Sequence, residues 1–204
     1  LNDTGIAARL FLVQSNGGVA TPSEAARLPA RLLLSGPSGG AMAMVDLARR
    51  NSLANVVGID MGGTSSDVSV VQDGRIEETA SGEIDGLPVR LPMVEIRTIG
   101  AGGGSLARLN GDALRVGPAS AGAEPGPACY LRGGVEPTVT DANLHLGLID
   151  GDQFLGGAMP LGRAEAANSL QTIATALDLS VEMTAAGIRQ IATASMADAV
   201  RLSL

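Results

Sequence analysis

Asp60-Met61-Gly62-Gly63-Thr64-Ser65-Ser66-Asp67 is the stretch of this chain best equipped for chemistry. Two adjacent glycines let an anion approach the backbone and leave amide N–H groups free to point at it. Thr64 and Ser65 add hydroxyl donors. Asp60 and Asp67 flank the turn and can hold Mg²⁺, directly or through water. These parts suit phosphoryl transfer, which asks a protein mainly for positioning and charge neutralisation. The plainer alternative is a tight β-hairpin with solvent-facing carboxylates.

Gly100-Ala101-Gly102-Gly103-Gly104-Ser105 is a second glycine-rich loop. Consecutive glycines are costly in conformational entropy, so a ligand or another backbone is expected close by. It is not a dinucleotide fingerprint, because Ser105 stands where that pattern needs glycine and a strand follows. A third segment, Gly36-Pro37-Ser38-Gly39-Gly40, matches Gly-x-Ser-x-Gly between an apolar run and a helix, the setting of a nucleophilic serine. His145 is the sole histidine and so the only base, with Asp141 four residues before it. Spacing of four suits a surface helix pair better than a triad. The other reading of Ser38 is a helix N-terminus able to bind an anion. Gly122 to Tyr130 carries no mechanism that the residues reveal. Cys129 reads as a small buried hydrophobe, and His145 as a packed or helix-surface residue.

Composition removes whole classes of function. All fourteen basic residues are Arg, so a Walker A lysine and Schiff-base chemistry are absent. The net charge of −7 and an aromatic content of 1% argue against nucleic-acid partners and anionic membranes. One Cys and one His exclude a Cys/His zinc site and an internal disulfide, and point to a reducing, cytoplasmic setting. No apolar run reaches transmembrane length. Hydrophobic residues make up 45%, enough for an aliphatic core.

The elements that must position these residues follow from pattern. Thr21-Pro22-Ser23-Glu24 reads as a capped helix start. Arg31 to Leu34 is apolar, and a helix is expected over 41–50. Strands are expected over 55–59, 66–71, 75–79 and 93–99, with Gln72-Asp73-Gly74 as a hairpin turn. Residues 106–109 and 113–116 form a further hairpin around Asn110-Gly111. Residues 117–137, rich in Gly and Pro, read as an ordered site loop. Helices are expected to open near Asp141 and to span 163–177 and 181–202. Glu77, Glu78, Glu83 and Asp85 read as solvated faces. The chain opens Leu1-Asn2-Asp3 and ends within a helical pattern, so residues 1–204 are expected to be a single domain fragment of a longer protein.

Six motifs together resemble the hydantoinase A / 5-oxoprolinase family: Ser35-Gly36-Pro37-x-Gly39-Gly40, Gly58-Ile59-Asp60-Met61-Gly62-Gly63-Thr64-Ser65, Gly100 to Ser105, Arg115-Val116-Gly117-Pro118, Gly126-Pro127-Ala128-Cys129-Tyr130, and Pro137 to Asn143. ATP-dependent N-methylhydantoinases and the β subunit of acetone carboxylase are members. The resemblance implies an α/β fold of the ribonuclease-H-like, actin-like ATPase (sugar kinase-like) type: one lobe, a mixed sheet with flanking helices. It implies ATP and Mg²⁺ as cofactors, with Asp60 to Asp67 as the second of two phosphate loops. The first loop and the adenosine motif of the family fall outside this sequence, and the isolated chain is expected to lack ATPase activity. The family often has Ala at Ser38, which gives a nucleophilic serine no support.

The expected function is therefore part of an ATP-dependent cyclic-amide hydrolase. Gly62, Gly63, Thr64 and Ser65 would bind phosphate. Asp60 and Asp67 would be the catalytic and metal-binding carboxylates. Gly102, Gly103 and Gly104 would wall the nucleotide cleft. The expected partners are a cyclic amide or ketone and a hydantoinase B-type subunit or domain. An acetone-carboxylase-like subunit, a serine hydrolase using Ser38, and a non-catalytic interaction module are the alternatives. Asp141 and Cys129 have no assigned role.

Overall fold

The computed structural model describes residue 5, residues 8–84 and residues 86–204. Asp85 and the side chain of Glu83 lie outside the described residues, while Glu77 and Glu78 are exposed as expected. The chain gathers into two compact units. The first holds the chain up to Asp60 and Asp67–Arg97; the second holds Met61–Ser66 and Thr98–Leu202.

In the first unit, β1 (Leu12–Val13) and β2 (Val19–Ala20) pair antiparallel. Helix α1 (Pro22–Arg27) starts at Thr21 as expected: the Thr21 N–H donates to Glu24 Oε2 at 2.9 Å, and the Glu24 N–H donates back to Thr21 Oγ1. Residues Pro29–Leu32 form a 3-10 turn, and helix α2 runs Ser35–Arg50. The helix thus begins six residues before the expected Ala41, taking in the whole glycine-rich segment. Pro37 sits in the first turn, where no N–H is needed. Ser38, Ala41, Val45 and Ala48 are buried at helical spacing along one side.

Strands β3 (Val56–Met61) and β4 (Ser66–Gln72) are sheet neighbours, and β5 (Arg75–Ile76) pairs antiparallel with β4. Asp73 and Gly74 both have positive φ, the two-residue hairpin turn the sequence predicts. Beyond it, β6 (Glu78–Thr79) pairs with β9 (Met93–Val94), and β7 (Gly82–Ile84) with β8 (Leu87–Val89). The strand expected over 93–99 is two pieces, β9 and β10 (Arg97–Ile99). The Glu95 N–H donates to the Glu77 carbonyl at 2.9 Å, continuing the β6–β9 register, whereas β10 lies beside β4.

In the second unit, β11 (Ser105–Asn110) and β12 (Ala113–Ser120) form a hairpin with a bulge near Ser105. Helices α3 (Val139–His145) and α5 (Val181–Arg201) pack on it, and α4 (Arg163–Leu177) packs against both of them. Their core is aliphatic, centred on Ala107, Val139, Leu170, Ile173, Ile188 and Ala192. A smaller cluster joins Cys129, Leu144, Leu161 and Ala166, edged by the Tyr130 and Phe154 rings with centroids 5.8 Å apart. Among the described residues, no helix is long and apolar enough to cross a membrane.

Candidate functional site

The Gly62 N–H donates to the Ser65 carbonyl at 2.9 Å and closes the turn between β3 and β4. Strands joined so tightly must be antiparallel. Counting back from the turn sets Gly58 opposite Ser69 and Asp60 opposite Asp67. A Cβ placed on Gly58 would lie 3.1 Å from Ser69 Oγ, which matches that register. Both aspartates line a cleft of about 380 Å³ in the first unit, whose other wall is α2. Asp60 Oδ2 lies 3.9 Å from where Gly40 of α2 would carry a Cβ. A hard divalent cation is held through carboxylate oxygens of this kind. Among the described residues, no group of three or more His, Cys, Asp or Glu gathers as a metal cage. Two carboxylates suit Mg²⁺, which typically completes its shell with water and substrate phosphate oxygens.

In the second unit, the turn is stapled to the other glycine loop. The Gly103 N–H donates to Gly62 O at 3.0 Å, and the Gly104 N–H donates to Gly63 O at 2.6 Å. The Gly102 N–H donates to Ser105 Oγ at 2.8 Å. These amides are spent inside the protein, so the close approach expected for Gly100 to Ser105 is made by backbone. The turn's carbonyls are correspondingly committed, while the N–H groups of Gly63, Thr64 and Ser65 take no protein partner among the described residues. Gly62, Gly63 and Thr64 are exposed, and nothing lies within 4 Å of a Cβ placed on Gly63. Outward amides with an open backbone make an anion-binding concavity.

Four hydroxyls that spacing does not flag hold this arrangement. Ser66 Oγ donates to the Ala101 carbonyl, and Thr140 Oγ1 donates to the Gly103 carbonyl at 2.8 Å. Ser105 Oγ takes the Gly102 amide, and Ser120 Oγ lies 3.4 Å from Thr64 Oγ1. Their partners stand 35 and more residues away for Ser66, Ser120 and Thr140, beyond the reach of any local pattern. Of Gly102, Gly103 and Gly104, Gly102 is the tightest position. A Cβ there would fall 2.7 Å from Gly63 O and 2.8 Å from Gly62 O. Gly102→Ala is therefore expected to push the two loops apart at a cost of about 1–3 kcal/mol. Faster amide hydrogen exchange at Gly103 and Gly104 would report it; unchanged protection would refute the staple.

Asp141 is wholly buried and accepts four hydrogen bonds. Its oxygens take the Thr138 N–H at 2.9 Å, Thr138 Oγ1–H at 2.7 Å, the Cys129 N–H at 2.8 Å and the Ala128 N–H at 3.3 Å. It caps α3 from inside and ties down the Gly126 to Tyr130 segment, so its part is structural. The surface pair expected between Asp141 and His145 does not form. His145 Nε2 lies instead 3.6 Å from Glu182 Oε1. Cys129 is fully buried, and burial, with the Asp141 carboxylate beside it, pushes its thiol far above the usual range. A buried thiol without thiolate character is inert. Alkylation of native protein at pH 8 is expected to leave Cys129 unmodified, with full labelling only in denaturant; mass spectrometry distinguishes the two.

Ser38 does not form a nucleophile elbow. It lies inside α2 rather than at a strand-to-helix turn, and it is fully buried. Its hydroxyl donates to the carbonyls of Leu34 at 2.7 Å and Ser15 at 2.8 Å. A 3-10 turn precedes the helix where the elbow needs a strand.

A family model described as Hydantoinase/oxoprolinase matches residues 1–204. Caprolactamase subunit alpha of Pseudomonas jessenii is 41% identical over 92% of this chain, which spans 27% of that protein. The crystal structure of ATP-dependent caprolactamase from that organism gives a TM-score of 0.83 at 38% identity over all of this chain and 30% of its own. 5-Oxoprolinase 1 of Arabidopsis thaliana is 38% identical over 98% of this chain and 17% of that protein. A nucleotide-free structure of acetone carboxylase, from a study of ATP-dependent acetone carboxylation, gives a TM-score of 0.88 at 31% identity over 98% of this chain and 28% of its own. The chain thus spans less than a third of each of these relatives, and its mixed α/β fold is of the actin-like ATPase type, as expected.

Proposed function

Because this chain belongs to the hydantoinase/oxoprolinase family, we propose that its Asp60 to Asp67 hairpin grips Mg·ATP in a longer enzyme that activates a cyclic amide. In the proposed reaction the γ-phosphoryl group of ATP passes to the amide oxygen with release of ADP; water then adds to the activated carbonyl carbon, and the C–N bond breaks with release of inorganic phosphate, leaving the ring-opened amino acid. The observation that carries this reading is the staple: Gly103 and Gly104 consume the turn carbonyls, leaving the Gly63, Thr64 and Ser65 amides for an anion. The Thr64 and Ser65 hydroxyls add donors to phosphate. Gly102, Gly103 and Gly104 act by holding the turn in place.

Asp60 and Asp67 would hold Mg²⁺ from opposite strands, and the ion when bound would supply charge neutralisation at the phosphates. No Lys, Cys or His is required, in keeping with a chain that has no Lys, an inert thiol and a single histidine lying near Glu182 in the second unit. A subunit or domain of the hydantoinase B type completes the enzyme, in a cytoplasmic setting; caprolactamase alpha is itself named as a subunit. A second reading, an ATP-dependent carboxylase subunit acting on a ketone, uses the same hairpin and is supported by the likeness to acetone carboxylase.

The deciding test is Mg²⁺-dependent ATP hydrolysis by the full-length protein with its partner subunit. A lactam, hydantoin, 5-oxoproline, or acetone with bicarbonate is offered in turn. Stimulation by a cyclic amide supports the hydrolase, and stimulation by acetone with bicarbonate supports the carboxylase. A protein that does not bind Mg·ATP would overturn both.

A further inference from the structure

We infer that Ser120 is a positioning residue for the phosphate turn: its hydroxyl donates to Thr64 Oγ1 and so directs the Thr64 proton at a phosphate oxygen. This rests on the hairpin reading above and adds to it the orientation of one donor. Ser120 is fixed by the backbone around it. It ends β12, opposite Ser105 of β11. The next amide, Ala121 N–H, donates to the Gly104 carbonyl at 2.9 Å. Gly122, at φ +66°, turns its N–H back onto Ser120 Oγ at 3.1 Å. A Cβ on Gly104 would lie 3.0 Å from both Ser120 Oγ and Gly63 O, so a side chain there would crowd the hydroxyl and the turn together. From this place Ser120 Oγ stands 3.4 Å from Thr64 Oγ1. That is long for two hydroxyls, and contacts of this kind tighten when a ligand binds.

The direction of that bond follows from counting protons. Each hydroxyl has one proton to give and two lone pairs to receive. Ser120 Oγ already receives the Gly122 proton. Thr64 is exposed at the tip of the turn, and its hydroxyl has no other protein partner among the described residues. The oxygens of a phosphate act as acceptors. If Thr64 gave its proton to Ser120, it would turn a lone pair toward the phosphate, and the Ser120 proton would find no acceptor among the described residues. With Ser120 as the donor, Gly122 N–H, Ser120 O–H and Thr64 O–H all point in one sense toward the anion. Each bond in such a chain polarises the next.

The test is a double-mutant cycle on the full-length protein with its partner subunit, read as the Kd of Mg·ATP by titration calorimetry without a carbonyl substrate. Ser120→Ala is expected to weaken binding about fivefold in wild type and in Thr64→Ser, which keeps the hydroxyl. In Thr64→Val, which has no proton to direct, it is expected to weaken binding by no more than about twofold. Thr64→Val alone is expected to weaken binding at least as much as Ser120→Ala, because it removes the donor itself. A Ser120 that served only to hold Gly122 would weaken binding equally in all three backgrounds, since that contact is lost in each. Equal weakening in Thr64→Val, no weakening in wild type, or a Thr64→Val protein that binds like wild type would overturn the role of Ser120 and leave the turn amides and the hairpin reading standing. A wild type that does not bind Mg·ATP would overturn the hairpin reading and this inference with it.

Discussion

Asp60→Asn in the full-length protein is expected to lower Mg²⁺-dependent ATP turnover by about 10²–10³-fold, the usual loss when a transition-state charge stabiliser is removed. A second effect is read on stability. Asp60 and Asp67 stand opposite each other on adjacent strands, and both line the α2 cleft. Asp60→Asn is expected to abolish the rise in melting temperature that Mg²⁺ gives the wild type, while leaving the metal-free melting temperature close to that of the wild type. Loss of turnover together with loss of the Mg²⁺ response is the signature of a cation site, and a merely structural aspartate would lower the metal-free melting temperature as well. Asp67→Asn should behave alike, and the double variant should lose little more turnover than either single one, because the pair acts as a unit. Turnover within threefold of wild type in Asp60→Asn would remove the hairpin from the mechanism.

The largest effect on stability is expected at Asp141. Its carboxylate satisfies three backbone amides and one hydroxyl in a fully buried position. Asp141→Ala leaves those donors without partners, and the loss is expected to be about 3–5 kcal/mol in urea unfolding. Asp141→Asn keeps one acceptor but turns an NH₂ toward N–H donors, so it should rescue only part of that. Thr138→Val removes one donor and the α3 cap acceptor together, at about 1–2 kcal/mol. The two sites share partners, so a double-mutant cycle should show strong coupling. Loss of the Asp141 carboxylate should also expose Cys129 to alkylation, since the Cys129 amide is one of its four donors. A change under about 1 kcal/mol in Asp141→Ala would contradict this account.

Most of the local architecture follows from neighbouring residues. The Thr21 capping box, the Asp73-Gly74 and Gly111 turns, and helices α4 and α5 stand where the sequence pattern sets them. Three elements depart from it: the strand expected over 75–79 is two pieces, β5 pairing with β4 and β6 pairing with β9, and helix α2 and the 93–99 strand differ as well. Helix α2 absorbs Gly36 to Gly40 because Pro37 needs no N–H partner in the first turn, and because burying Ser38 and Ala41 outweighs the weak helix propensity of glycine. The 93–99 strand divides because its two halves pair with different strands, β9 with β6 and β10 with β4. These outcomes depend on residues that local periodicity does not sample.

The site divides in the same way. The sequence by itself determined that a carboxylate-flanked Gly-Gly-Thr-Ser turn stands between two strands, and that a second run of glycines must meet something at close range. Those features rest on φ/ψ freedom and strand alternation, which operate over a few residues. Tertiary structure alone decided that the two glycine loops meet each other, with Gly103 and Gly104 donating to Gly62 and Gly63. It likewise assigned Asp141 to Cys129 and Ala128, and withdrew Ser38 into two backbone hydrogen bonds. A hydrogen bond is specified by two groups brought within about 3 Å, and spacing along the chain is silent on that for groups tens of residues apart.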